Sequence, residues 1–196
     1  MTPVLLLIVV GIIEFSFMMR NQVVVVSDAR VGARIASAGA GSGGGTCRTG
    51  PDEPPCTTES SPALAQAAAD AIQRSGSAMP MENINYVLIY RANSAGYPGI
   101  EGTTTMPTSC AGIAACVRFE WRGGEFRYSE GAWDSRSISA CFPGTAAKPL
   151  ERVGVYLNTT HTTFTGLFTK EITLDDRAVM NFEPLPTASC GSMEHT

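Results

Sequence analysis

Val4 to Ile13 is an unbroken apolar run, and after one acid, Glu14, the apolar character resumes through Phe15-Ser16-Phe17-Met18-Met19 to Arg20. Counted across the acid this is about 17 residues, the lower limit for a helix that crosses hydrocarbon. A secretory signal would start with positive charge and end at a small-residue cleavage site, yet no Lys or Arg precedes Val4 and Phe15 to Met19 is bulky. A buried soluble helix would need a partner that covers an apolar surface on all sides. The run therefore reads as a membrane anchor with the lipid bilayer as its first partner. Glu14 is the odd residue: an acid in a spanning segment either faces protein or sits at the interface and reaches water.

The six cysteines, Cys47, Cys56, Cys110, Cys116, Cys141 and Cys190, all follow the apolar segment and are even in number, which suits disulfides in an oxidising compartment. Cys47 with Cys56 and Cys110 with Cys116 are the local pairs to test first. This argues for an extracytoplasmic C-terminal region, whereas Arg20, Arg30 and Arg34, all C-terminal to the run, argue the opposite way by the positive-inside rule. A net charge of −4 with 16% charged residues gives no basic footprint, so nucleic acid is not an expected partner.

Beyond Arg20 the apolar spacing stays helical, with Val24, Val31, Ile35 and Ala38 in step and no proline until Pro51, so the helix is expected to continue to about Ala38. Ala29, Gly32, Ala33, Ala36 and Ala40 form a small-residue stripe suited to close helix contact. Its partner is either another subunit or the chain's own C-terminal domain.

The run Pro3-Val-Leu-Leu-Leu-Ile-Val-Val-Gly-Ile-Ile-Glu14-Phe15, followed by Asp28-Ala-Arg30-Val-Gly32-Ala33-Arg34-Ile-Ala36, resembles the TadE family of pilus-assembly pseudopilins. That family couples an apolar stretch ending in Gly-Ile-x-Glu/Asp-Phe to an Ala-Arg-x-Gly-Ala-Arg element on one long helix. The stretch from Val153 to Pro184, with a strand and a short Glu183-Pro184 tail, also resembles the ending of TadE-like proteins. The resemblance implies a pilin-like α+β protein and assigns Glu14, Phe15, Arg30, Gly32, Ala33 and Arg34 to helix packing or assembly with other pilin or pilus-assembly subunits. It implies a single-pass protein of the cell (inner) membrane with its C-terminal domain extracytoplasmic. Members usually carry a short basic leader and a small cleavage residue ahead of the apolar stretch. The expectation is either a start upstream of Met1, which would lengthen the span and add cytoplasmic positive charge, or a variant that the prepilin peptidase does not process.

The remainder divides into a Gly/Pro-rich linker over 39–60 and a domain over 61–196, after a membrane and stalk helix over 1–38. Gly39 to Ser61, with Gly-Ser-Gly-Gly-Gly and Pro54-Pro55, is expected to stay extended. Ser61-Pro62 is a helix start signal, Ala63 to Arg74 a strong helix former, and Leu64, Ala67, Ala68, Ala71 and Ile72 its expected buried face. Period-two patterns predict strands at Ile84–Tyr90, Ala115–Arg122, Glu125–Glu130, Arg152–Asn158 and Arg177–Glu183, with Gly123-Gly124 as a hairpin turn. The fold class is α+β: a long N-terminal helix, a small helix and an antiparallel-sheet head.

No residue set carries chemistry. His161, within Asn158-Thr-Thr-His-Thr-Thr, reads as a solvated residue between strands, His195 is terminal, and Asp175-Asp176 reads as a solvated turn. Without a C-x-x-C pair or a histidine cluster no metal is expected, and no cofactor or small-molecule substrate is evident. The aromatic group Phe119, Trp121, Phe126, Tyr128 and Trp133 is the expected core of the sheet; if exposed, it would make a contact surface. Two functional readings follow: a non-enzymatic membrane-anchored pseudopilin, or a membrane-anchored extracytoplasmic binding module unrelated to pili.

Overall fold

The computed structural model describes residues 2–45, 48–49, 60–76, 79–141, 150–163 and 170–185. Cys47, Cys56, Cys190 and His195 lie outside them. Helix α1 runs Thr2–Ala38 and α2 Ala63–Arg74; strands β1 Ile84–Ala92, β2 Cys116–Arg122, β3 Glu125–Ala132, β4 Arg152–Thr162 and β5 Glu171–Asn181 follow. The strands form one antiparallel sheet of order β3-β2-β1-β4-β5, giving an α+β fold.

Helix α1 ends at Ala38, where Gly39 permits a crossing that a side chain would block: a Cβ there would lie 2.7 Å from the Leu64 Cβ. The expected Ser61 cap is displaced by one residue. Pro62 occupies the N-cap position of α2 without a side-chain cap, and the Ala63 N–H is instead satisfied by the Gly43 carbonyl at 3.0 Å. The buried face of α2 is broader than its spacing predicts, because Ala65 and Ala69 are as buried as Leu64, Ala68 and Ile72, while Ala67 is only half-buried. This short helix packs against α1 and against strands β3 and β1 of the sheet.

At the β2–β3 turn Gly123 and Gly124 have φ of 62° and 85°, the left-handed pair that a two-residue hairpin turn demands. The last two strands depart from the sequence pattern. Strand β4 continues through Asn158-Thr-Thr-His161-Thr162, and β5 begins at Glu171, so Asp175 and Asp176 stand in a strand opposite Asn158 and Leu157 rather than in a turn. Threonine is a good strand former despite its polarity, and the acids sit on an edge strand, where charge discourages pairing with a further chain.

Central strand β1 is covered on both faces. On one side Val87 and Ile89 join Val117, Phe119, Phe126, Val155 and Leu157 under the two helices. On the other, Tyr86, Leu88 and Tyr90 pack with Tyr156 and Cys116 beneath the long β1–β2 connection, with Met106 and Ile113 beside them. A disulfide between Cys110 and Cys116, with Cα atoms 5.3 Å apart, pins that connection to the start of β2.

The described parts of 39–60 are fastened to the head, unlike the free linker that their composition predicts. The Arg48 carbonyl accepts from the Tyr128 N–H at 2.8 Å, and its guanidinium grips Asp70 through two hydrogen bonds of 3.0 and 2.9 Å. The Ser60 carbonyl accepts from the Trp133 N–H at 3.0 Å. Backbone partners from the head hold Arg48 and Ser60 in place.

Candidate functional site

Helix α1 has two halves with opposite surroundings. From Val4 to Met19 its large apolar side chains are mostly exposed around the whole circumference, as with Leu5 at 66% and Phe15 at 59%. It is long and apolar enough to cross a membrane. From Val25 onward one face is fully enclosed: Val25, Ala29, Ala33 and Ala36 are inaccessible and belong to the main core.

The small-residue stripe explains how closely the helix lies. A Cβ on Gly32 would come within 2.9 Å of Ile72 Cδ1 and 3.1 Å of Val155 Cγ1, so α1 rests on α2 and β4 through backbone-level contact. Gly32 and Ala33 are thus spent on the chain's own head and are not available to another subunit. Arg30 and Arg34 point outward from the opposite face, in line with the exposed Val23 and Ser27. Buried Asp28 accepts a hydrogen bond from the Ser75 hydroxyl at 2.8 Å, fastening α1 to the end of α2.

Where the exposed half meets the head, the end of β4 reaches the helix. His161 is buried there, at 7% exposure, and its Nδ1 lies 2.8 Å from the Asn21 side-chain nitrogen. This overturns the reading of His161 as a solvated residue between strands: it belongs to β4 and faces α1. At the next residue, the Gln22 side chain donates to the Asp175 carbonyl at 3.4 Å. Gly11, Glu14, Phe15 and Met18 of the helix, with His161, Thr163 and Ile172 of the head, line an open cavity of about 190 Å³. The acid that looked anomalous in an apolar run is therefore half-buried at a polar junction between helix and head. The sequence flagged Glu14 but not His161, whose polar threonine neighbours hid a strand.

The aromatic group is core, not contact surface: Phe119, Phe126, Tyr128 and Trp133 are all buried, and only Trp121 is partly accessible, edge-on to Phe126 at 5.2 Å. On the far face of the sheet, burial pushes the Tyr156 phenol up to about 12, with the Asn158 hydrogen bond opposing it. Burial also raises the Glu130 carboxyl, but hydrogen bonds from Ser109, Arg118 and the Cys110 N–H outweigh it and hold the group below its ordinary value. Glu130 thereby anchors the disulfide-bearing connection electrostatically as well as covalently. Among the described residues Cys141 is also disulfide-bonded and no cysteine is free.

No curated protein and no solved structure matches the chain. The family model described as TadE-like protein matches residues 1–34, a span that includes both the exposed half of α1 and the Arg30 to Arg34 element that enters the head. Over its N-terminal helix, this chain is similar to the TadE-like family.

Proposed function

We propose that the chain is a non-enzymatic, membrane-anchored pseudopilin that takes part in assembling a Tad-type pilus or a related secretion apparatus. The observation that carries this reading is a single helix that matches the TadE-like family over residues 1–34, exposes apolar side chains from Val4 to Met19, and then becomes part of the head's core. Residues 1–38 serve as membrane and stalk helix, 39–60 as a Gly/Pro-rich linker, and 61–196 as an extracytoplasmic domain of a single-pass protein of the cell membrane. The Cys110–Cys116 disulfide supports the oxidising side, since cytosolic thiols are kept reduced. Phe15, Arg30 and Arg34 are the contacts offered to other pilin or assembly subunits, because they remain exposed while Gly32 and Ala33 do not.

The test is deletion of the chain in its native cell, with filaments counted at the surface and the full-length chain followed by membrane fractionation. Loss of filaments, restored by the wild-type chain but not by Arg30→Glu/Arg34→Glu, is expected. Unchanged filaments, or full-length chain recovered in the soluble fraction, would refute the proposal.

A further inference from the structure

The cavity between α1 and the end of β4 is lined by His161, which carries a hydrogen-bond donor with nothing to bind. The Asn21 amide nitrogen donates to His161 Nδ1, which places the ring proton on Nε2. Nε2 is buried and makes no hydrogen bond, while the residue as a whole is only 7% exposed. A buried N–H without an acceptor is costly and uncommon, so an acceptor supplied from outside the chain would relieve it.

Four further properties of the cavity define what could supply it. Glu14 places a carboxylate in the same cavity, which favours a cation and disfavours a ligand that is only anionic. Phe15, Met18 and Ile172, all apolar, supply the remaining side chains of the lining apart from Thr163. The cavity lies where the exposed apolar half of the helix meets the polar head, the level of a membrane–water interface in a chain anchored by α1. Its volume of about 190 Å³ suits a headgroup, not an entire lipid.

We propose that this cavity is a binding site for the headgroup of a phospholipid carrying a primary amine. The phosphodiester accepts the His161 Nε2 proton, the ammonium donates to Glu14, and the acyl chains leave over Phe15 and Met18 along the exposed helix. A trimethylated ammonium has no N–H for the carboxylate, and a glycerol headgroup brings negative charge without a cation. The site rests on the membrane reading above, because only a membrane-anchored chain presents the cavity to lipid.

The test is native mass spectrometry of the full-length chain in mild detergent, supplied with equal amounts of phosphatidylethanolamine, phosphatidylcholine and phosphatidylglycerol. One phosphatidylethanolamine retained per chain is expected, favoured by about tenfold or more, the scale of one charge-assisted hydrogen bond. Glu14→Gln, a change of charge at constant size on a half-exposed position, should erase the preference over phosphatidylcholine, and His161→Phe should reduce retention of all three. Unchanged tryptophan-monitored melting of the head shows that each variant is folded. Equal retention of the three lipids, a preference that survives both variants, or dimers in place of lipid adducts would overturn the site. Co-flotation with vesicles of phosphatidylcholine alone separates the two levels: a chain that floats but shows no preference loses only the headgroup site, whereas one that does not float loses the membrane reading too.

Discussion

Gly154 in β4 stands directly opposite Tyr90 in β1, and the tyrosine ring lies flat over it. A methyl group at Gly154 would fall 2.4 Å from both Cε2 and Cζ of that ring and 2.7 Å from its hydroxyl, far inside contact distance. The ring cannot yield cheaply, because Tyr90 is fully buried and its hydroxyl donates to the Gly96 carbonyl at 3.0 Å, holding the turn after β1. Gly154→Ala must therefore expel the ring. Overpacking costs about 1–3 kcal/mol and the lost hydrogen bond about 1 kcal/mol more, so a loss of about 2–4 kcal/mol is expected. Urea unfolding of the full-length chain in detergent micelles, followed by the fluorescence of Trp121 and Trp133, should show the midpoint falling by about 1–2 M. In a Tyr90→Leu background the same substitution should cost less than about 0.5 kcal/mol, since its target has gone. An unchanged midpoint for Gly154→Ala, or an equal cost in both backgrounds, would refute the steric account.

Removing the short disulfide with Cys110→Ala/Cys116→Ala should lower stability by about 2 kcal/mol, the loop-closure value for so small a ring, measured by the same unfolding experiment. For Glu130, whose folded carboxyl is held below its ordinary 4.5, the stabilisation is fully present above that value and is lost as pH falls through the lower folded value. Melting temperature against pH should therefore fall more steeply below 4.5 in the wild type than in Glu130→Gln, and parallel curves would count against the carboxylate's role. At the other extreme, the buried phenol of Tyr156 keeps its proton to about 12, so stability should decline as pH rises from 10 towards 12, and Tyr156→Phe should soften that decline.

The parts of the fold that follow a simple period were legible in the sequence. The apolar spacing of α1 led to its end at Ala38, and the alternation from Ile84 and the Gly123-Gly124 pair placed β1, β2 and β3 within a few residues. Strand β4 was read too short because polarity was taken as a sign of solvent. Thr159 is wholly buried with its hydroxyl on the Leu174 carbonyl, and His161 Nδ1 is paired with Asn21, so both of these polar atoms are engaged inside the protein. The first joins residues 15 positions apart on neighbouring strands and the second residues 140 apart, and no local pattern announces either. The same limit applied to the junction at Glu14: a lone acid in an apolar run marks a special place without naming what faces it. The Ala/Gly stripe was legible as a close-packing surface, but whether its partner was internal depended on Ile72 and Val155, which only the assembled fold brings to Gly32.

That the second half of α1 lies inside the head has a consequence for the order of events during synthesis. The helix is synthesised before the strands that pack against it, β4 and β5. Until they arrive, a wall of the core stands in place without its room, and long sequence separations of this kind slow folding. A fragment starting after Ala38 would have the converse defect, an open trough along α2 and β4 where Val25, Ala29, Ala33 and Ala36 belong. Insertion of the first residues and closure of the last strands are therefore one folding problem, and a head cut free of its helix is expected to aggregate through that trough.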